Sequence, residues 1–276
     1  MTRSLHRRTH VLPEVAAPSL LLLGTEPVRA LAELTAGLTL RRVLLRVAPA
    51  GDGHPVLVLP GLGASDRSTG LLRRFLRDQG NEAQGWDMGR NTGAHQGKEH
   101  RMRTRLREIH ARTGRTVSLV GQSLGGVYAR ELAKLEPDCV RQVISLGSPF
   151  AGHPHATNAT RLYERLSGDR IEDIPHEQHA RLRVKPPVPT TSIYSKTDGV
   201  VAWHCSIEDG RPEGESIHLR GGSHLGTAAC PAALLLVAER LSQPEGRWQP
   251  FAPFGWKRLA FGVQDHLTRT VAPAAA

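Results

Sequence analysis

Gly121-Gln-Ser-Leu-Gly125 sets a serine between two glycines, with the strand-like Thr116–Val120 before it and a helical pattern through Tyr128, Leu132 and Leu135 after it. A strand that enters a helix through one residue strains that residue's backbone, and small neighbours two positions either side relieve the contact between the two elements. The strain lifts the Ser123 hydroxyl above the sheet, next to the helix N-terminus. A plain glycine turn with an idle serine is the alternative, and the rest of the chain decides between them.

A serine hydroxyl attacks poorly unless a base takes its proton and a third group orients the base. After a turn of this kind the acid comes first along the chain and the histidine second. Thr191-Ser-Ile-Tyr-Ser-Lys-Thr-Asp-Gly199 reads as a strand and short loop presenting Asp198, and Ser216-Ile-His-Leu-Arg-Gly-Gly-Ser-His-Leu-Gly226 as a strand and loop presenting His224. His218 falls within its strand and His204 beside the Asp198 loop, so each reads as structural or exposed. Asp173, Glu208, Asp209 and Glu213 lie in polar segments with no strand to aim them. The oxyanion formed in acyl transfer needs backbone donors. The Leu124 amide is one, and Gly61-Leu62-Gly63 offers the Leu62 amide as the second.

The elements that position these residues are readable from periodicity. Pro55–Leu59 is a short apolar run that fits a strand buried on both faces, and Val140–Leu146 reads as another strand. Strands are also expected near Ala83–Trp86, Thr116–Val120, Thr190–Tyr194 and Ser216–Leu219. Helices are expected around Val28–Leu40, over Leu71, Leu72, Phe75 and Leu76 with Asp66 or Ser68 as cap, and over His95–Arg112. Further helices are expected after Ser123, near Ala159–Ser167 and over Pro231–Leu241. Strands alternating with helices predict a mostly parallel sheet flanked by helices, whose ligands bind at the carboxyl ends of the strands. The expected organisation is an N-terminal segment (1–50) packing on the core, a catalytic domain (51–242) with an insertion over about 153–189, and a tail (243–276).

The set "VLVLPGLG", "VGQSLGG", "LGSPFAG", "YSKTDGVV" and "GSHLG" resembles a bacterial α/β-hydrolase of the esterase/lipase type over roughly residues 50–242. The resemblance implies the α/β-hydrolase fold, a short polar cap insertion, and a triad of Ser123, Asp198 and His224. Pro60 stands before Gly61 where His-Gly is commoner, which keeps the backbone donor but loosens any inference about substrate. Serine rather than aspartate at the turn argues against epoxide hydrolase and haloalkane dehalogenase chemistry. The expected activity is carboxylic ester hydrolysis through an acyl-enzyme on Ser123, with no cofactor and no metal. A thioesterase or acyltransferase using the same triad, or a binding protein that kept the fold, are the other readings. The insertion carries Arg161, Glu164, Arg165, Asp169, Glu172 and Asp173, which suits small or medium acyl esters better than bulk triglyceride. Phe150 and Met88 are candidates for the pocket wall, and core packing explains each equally well.

The net charge of +10 invites a nucleic-acid or anionic-membrane reading. Of the 36 basic residues 31 are arginine, which points to coding bias, and the basic stretch Lys98–Arg115 is interleaved with Glu99 and Glu108. No nucleic-acid motif is present, so a solvated helix face is the expectation. Three cysteines without a CxxC make no disulfide framework or zinc site. Cys205 and Cys230 each lie a few residues past a candidate site residue, but a bridge between them is not the expectation. Arg3, Arg7 and Arg8 before Leu20–Leu23 faintly resemble a secretion signal, but Pro13, Glu14 and Pro18 interrupt it, and a cytoplasmic location is favoured. In the tail, Trp256, Leu259, Ala260, Val263, Leu267 and Val271 share one helical face. That face suits a membrane surface or an acyl-bearing partner, although docking on the protein's own surface is the plainer expectation.

Overall fold

A computed structural model of the chain describes residues 15–93, 97–151, 155–173, 176–208 and 212–263. In chain order the elements are α1 (Leu20–Val47), β1 (Pro55–Leu59), α2 (Gly70–Asp78), β2 (Glu82–Gly85), α3 (Lys98–Thr113), β3 (Val117–Gln122) and α4 (Leu124–Leu135). They continue with β4 (Val140–Leu146), α5 (Thr160–Ser167), α6 (His176–Arg183), β5 (Thr190–Tyr194), β6 (Gly214–Leu219), α7 (Pro231–Leu241), α8 (Lys257–Ala260) and β7 (Phe261–Val263). The seven strands form one sheet in the order β2-β1-β3-β4-β5-β6-β7, parallel throughout except for the antiparallel β6–β7 pair.

The central strands β1, β3, β4 and β5 are buried along their whole length because both faces are covered. Side chains alternate across a strand, so Val56 and Val58 of β1 face one layer and Leu57 and Leu59 the other. The first layer adds Leu72, Phe75 and Leu76 of α2, Leu234, Val237 and Leu241 of α7, and Leu44 of α1. The second adds Met102, Leu106 and Ile109 of α3 with Leu132 of α4. Each large apolar side chain taken fully out of water contributes roughly 1.5–3 kcal/mol, which is what holds both helical layers on the sheet. Arg103 and Arg107 of α3 pair with Glu136, and Arg112 with Glu82, so much of the basic helix face is spent on ion pairs.

Three expectations are corrected. The first helix runs from Leu20 through Pro27 to Val47, absorbing the Leu20–Leu23 run. Thr69, not Asp66 or Ser68, precedes α2, without a side-chain cap bond. The Asp66 carboxylate instead accepts the Trp86 (3.1 Å) and Asp87 (3.0 Å) amides, tying the loop after β1 to the end of β2. All three cysteines are free, as expected, with Cys205 and Cys230 buried and Cys139 partly exposed.

The tail is not one helix over 256–263. A single turn (Lys257–Ala260) passes into β7, because the edge of β6 offers unpaired backbone to Phe261–Val263 and a pocket to Phe261. Phe251 and Phe261 pack edge to face inside the core, while Phe254, Trp256 and Leu259 stay exposed. Leu267 and Val271 lie outside the described residues. Among the described residues no helix is long and apolar enough to cross a membrane.

Candidate active site

β3 ends at Gln122 and α4 begins at Leu124, so Ser123 alone makes the turn, with φ 52° and ψ −123°. A non-glycine residue at positive φ costs energy and persists only where its surroundings force it. The forcing is visible at the glycines. A Cβ on Gly121 would lie 2.3 Å from the Gly125 carbonyl oxygen, and one on Gly125 would lie 2.3 Å from that of Leu59. Both clashes are with backbone and cannot be relieved by rotating a side chain. Gly125→Ala should therefore destabilise the fold by about 1–3 kcal/mol or more, read as a lowered midpoint in chemical denaturation. An unchanged midpoint would show that the helix can move off the sheet.

β5 and β6 run parallel to β3, so the loops after them open on the same edge. Asp198 follows β5 by four residues and His224 follows β6 by five. Their side chains meet Ser123 in a row. His224 Nδ1 lies 2.7 Å from Asp198 Oδ2, and His224 Nε2 lies 3.0 Å from Ser123 Oγ. A carboxylate can only accept, so Nδ1 carries the proton and Nε2 of the neutral ring accepts from the serine hydroxyl. Asp198 Oδ1 is held by the Val200 (2.8 Å) and Val201 (2.7 Å) amides, which leaves Oδ2 aimed at the imidazole.

Burial pushes the His224 imidazole down, but the Asp198 charge, the hydrogen bond to it and the Glu26 charge outweigh this. Together they hold His224 above the ordinary histidine value. Gly147, at positive φ after β4, backs the pair, since a Cβ there would lie 3.1 Å from Asp198 Oδ2.

Gly61 packs beside the nucleophile turn, its would-be Cβ 3.3 Å from Ser123 Cβ. This brings Leu62 to the same corner as Leu124, whose amide opens α4 and has no acceptor one turn back. The loop is braced by Asn91, which is fully buried and carries no motif signal in the sequence. Its Nδ2 donates to the Pro60 carbonyl (2.9 Å), its backbone amide donates to Ala64 O (2.7 Å), and its carbonyl accepts from Gly63 N (2.6 Å). α5 of the insertion closes over this loop, with Leu166 beside Gly63 and Tyr163 beside Gly93. Met88 is half-buried and packs against the layer of α3 and α4, alongside Leu124. Phe150 is buried under the Arg130 guanidinium, whose centre lies 3.6 Å from the ring centroid.

The competing residues are occupied elsewhere. Glu208 is buried against Arg130. His218 stacks on Tyr194 and His204 on Trp203. Asp173 and Glu213 are exposed, and Asp209 lies outside the described residues. A second row of the same residue types occurs at the opposite edge of the sheet. There His54 Nδ1 contacts Asp52, and His54 Nε2 lies 2.8 Å from Ser118 Oγ. Ser118 and His54 are both 0% exposed, so no substrate reaches that hydroxyl. Asp52 is also held by Arg115 and Arg141, and burial keeps His54 below the ordinary histidine value. Ser123 is half-buried and opens to the edge where parallel sheets bind ligands.

No protein-family model and no curated protein matches the sequence. Solved structures do match it. A monoacylglycerol lipase from Paleococcus ferrophilus aligns over 71% of this chain and 97% of its own at TM-score 0.51 and 15% identity. The mature lipase BlEst2 from Bacillus licheniformis aligns over 69% and 92% at TM-score 0.51 and 15% identity. This chain has the α/β-hydrolase fold. Lipase B from Aspergillus fumigatus matches at TM-score 0.52 and 18% identity, over 72% of this chain and 56% of that one. At these identities the likeness carries the fold, and the chemistry rests on the residues.

Proposed function

We propose that the chain is a serine-dependent carboxylic ester hydrolase of the esterase/lipase type. The observation that carries the reading is the hydrogen-bonded row Ser123–His224–Asp198, with Ser123 held at positive φ on the ligand-binding edge. Ser123 Oγ attacks the acyl carbonyl carbon while its proton passes to His224 Nε2. The carbonyl oxygen gains the charge and is met by the Leu62 and Leu124 amides. Collapse breaks the bond to the alcohol, which leaves with the proton from Nε2. Water then enters, gives a proton to Nε2 and attacks the acyl-enzyme. Its collapse returns that proton to Ser123 and frees the carboxylic acid. Asp198 stabilises the imidazolium formed in each half. The charged residues of α5 and the turn after it support small or medium acyl groups over long chains.

The test is p-nitrophenyl ester hydrolysis across acyl lengths. Turnover that peaks at short or medium chains supports the reading, and absence of turnover at every length overturns it. The same assay carries a pH prediction. His224 must be neutral to accept the serine proton, and its folded value is raised, so kcat/KM should climb through a midpoint above 6.5, the ordinary histidine value. An acid limb centred below 6.5 would contradict the assignment of His224 as base.

A further inference from the structure

α1 is an inside-out helix. Leu20, Leu21, Val28, Leu31 and Leu38 face outward, while Glu26 is 1% exposed. An apolar stripe usually faces the core and the charges face water, so a buried glutamate on this helix needs a reason. The reason lies in what surrounds its carboxylate. Oε1 accepts from the Gly199 amide (2.8 Å) and the His224 amide (3.1 Å), and Oε2 accepts from the Leu225 amide (3.0 Å). Gly199 directly follows Asp198, so one carboxylate grips both loops that carry the acid and the base. Arg29, one turn on, adds a fourth donor at 2.7 Å. Glu33 repeats the device, accepting from the amide and hydroxyl of Ser223.

The approach of α1 to these loops is close at three glycines. A Cβ on Gly199 would lie 2.5 Å from the Leu22 carbonyl carbon, and one on Gly226 would lie 2.8 Å from Ala30 Cα. On α1 itself, a Cβ on Gly37 would lie 2.2 Å from the Ala229 carbonyl oxygen. We infer that Glu26 is a positioning residue that locks the Asp198 and His224 loops in register, so that α1 is part of the catalytic machinery. The inference rests on the ester-hydrolase reading of Ser123.

Only an acceptor on both oxygens satisfies four converging donors. A glutamine in the same place offers one acceptor oxygen and turns an NH2 against an N–H: with its oxygen in the Oε1 place the Leu225 amide beside His224 loses its acceptor, and with the group flipped the Gly199 and His224 amides lose theirs. The imidazole sees charge from Asp198 on its own edge and from Glu26 on α1, with Arg29 and Glu33 farther along that helix.

The experiment compares the intact chain with Glu26→Gln and Glu26→Asp, following thermal unfolding, ester kinetics against pH, and NMR titration of the His224 ring. Glu26→Gln is expected to lower kcat by about 10- to 100-fold, the cost of small misplacement, with KM changed less than about twofold. Its His224 titration and acid limb should move to lower pH, because a negative charge beside the imidazole is gone. Glu26→Asp keeps the charge and should move the titration less. A folded Glu26→Gln with unchanged kcat and an unmoved His224 titration overturns the inference. Loss of folded protein in both variants also overturns it, in favour of a purely structural role. If the unaltered chain hydrolyses no ester, the Ser123 reading fails, and the NMR titration alone still decides whether Glu26 acts on His224.

Discussion

Ser123→Ala should lower kcat/KM for p-nitrophenyl esters by about a millionfold, the scale of removing the nucleophile where three groups act as a unit. The size follows from the geometry. The Ser123 hydroxyl has His224 Nε2 at 3.0 Å, and Ser118 and His54 of the second row are sealed from solvent and cannot take over. What survives is catalysis by the Leu62 and Leu124 amides and by binding alone. The change removes one oxygen and keeps the backbone, so thermal unfolding should move by less than about 1 kcal/mol. A loss smaller than about tenfold in a folded protein would place the nucleophile elsewhere. Leu62→Ala makes the natural comparison, because its contribution is from backbone and most activity should survive.

Asp198→Asn is expected to cost about 10,000-fold in kcat, and the reason can be traced atom by atom. The Val200 and Val201 amides hold Oδ1 and can donate only to an oxygen. The asparagine carbonyl therefore takes that place and its NH2 faces His224 Nδ1. Nδ1 must then accept, the ring proton moves to Nε2, and Nε2 no longer takes the proton of Ser123. KM should change little, since the acid contacts no part of the substrate in the proposed mechanism. Steady-state kinetics with His224 titrated by NMR checks both halves. A variant with kcat within tenfold of the parent would show that the imidazole is oriented by something other than Asp198.

Much of this site is legible in the sequence because its parts obey local rules. β1 is an apolar run of strand length between turn residues, and β1, β4 and β5 have the bounds expected from the sequence. The Gly121 and Gly125 spacing has a steric cause that operates within five residues. What stayed hidden depends on contacts distant in the chain. Glu26 lies 173 positions from Gly199 and 198 from His224 in the chain, and nothing near it signals burial. Asn91 reads as an ordinary loop asparagine until its bonds to Pro60 and Gly63 are seen. β7 is three residues long with a glycine at its centre, and it forms because β6 has a free edge. Asp66 looks like a helix cap by position, yet its carboxylate finds two amides on another strand's end.

Ser123 is proposed as the one activated hydroxyl among the described residues. Fluorophosphonate labelling mapped by peptide mass spectrometry tests it without assuming a substrate, since the reagent needs only a nucleophile with its base in place. The account predicts a single adduct on Ser123, lost in Ser123→Ala, with ester turnover falling in step as the label accumulates. An adduct on another residue, or ester turnover that persists with Ser123 unlabelled, would contradict it.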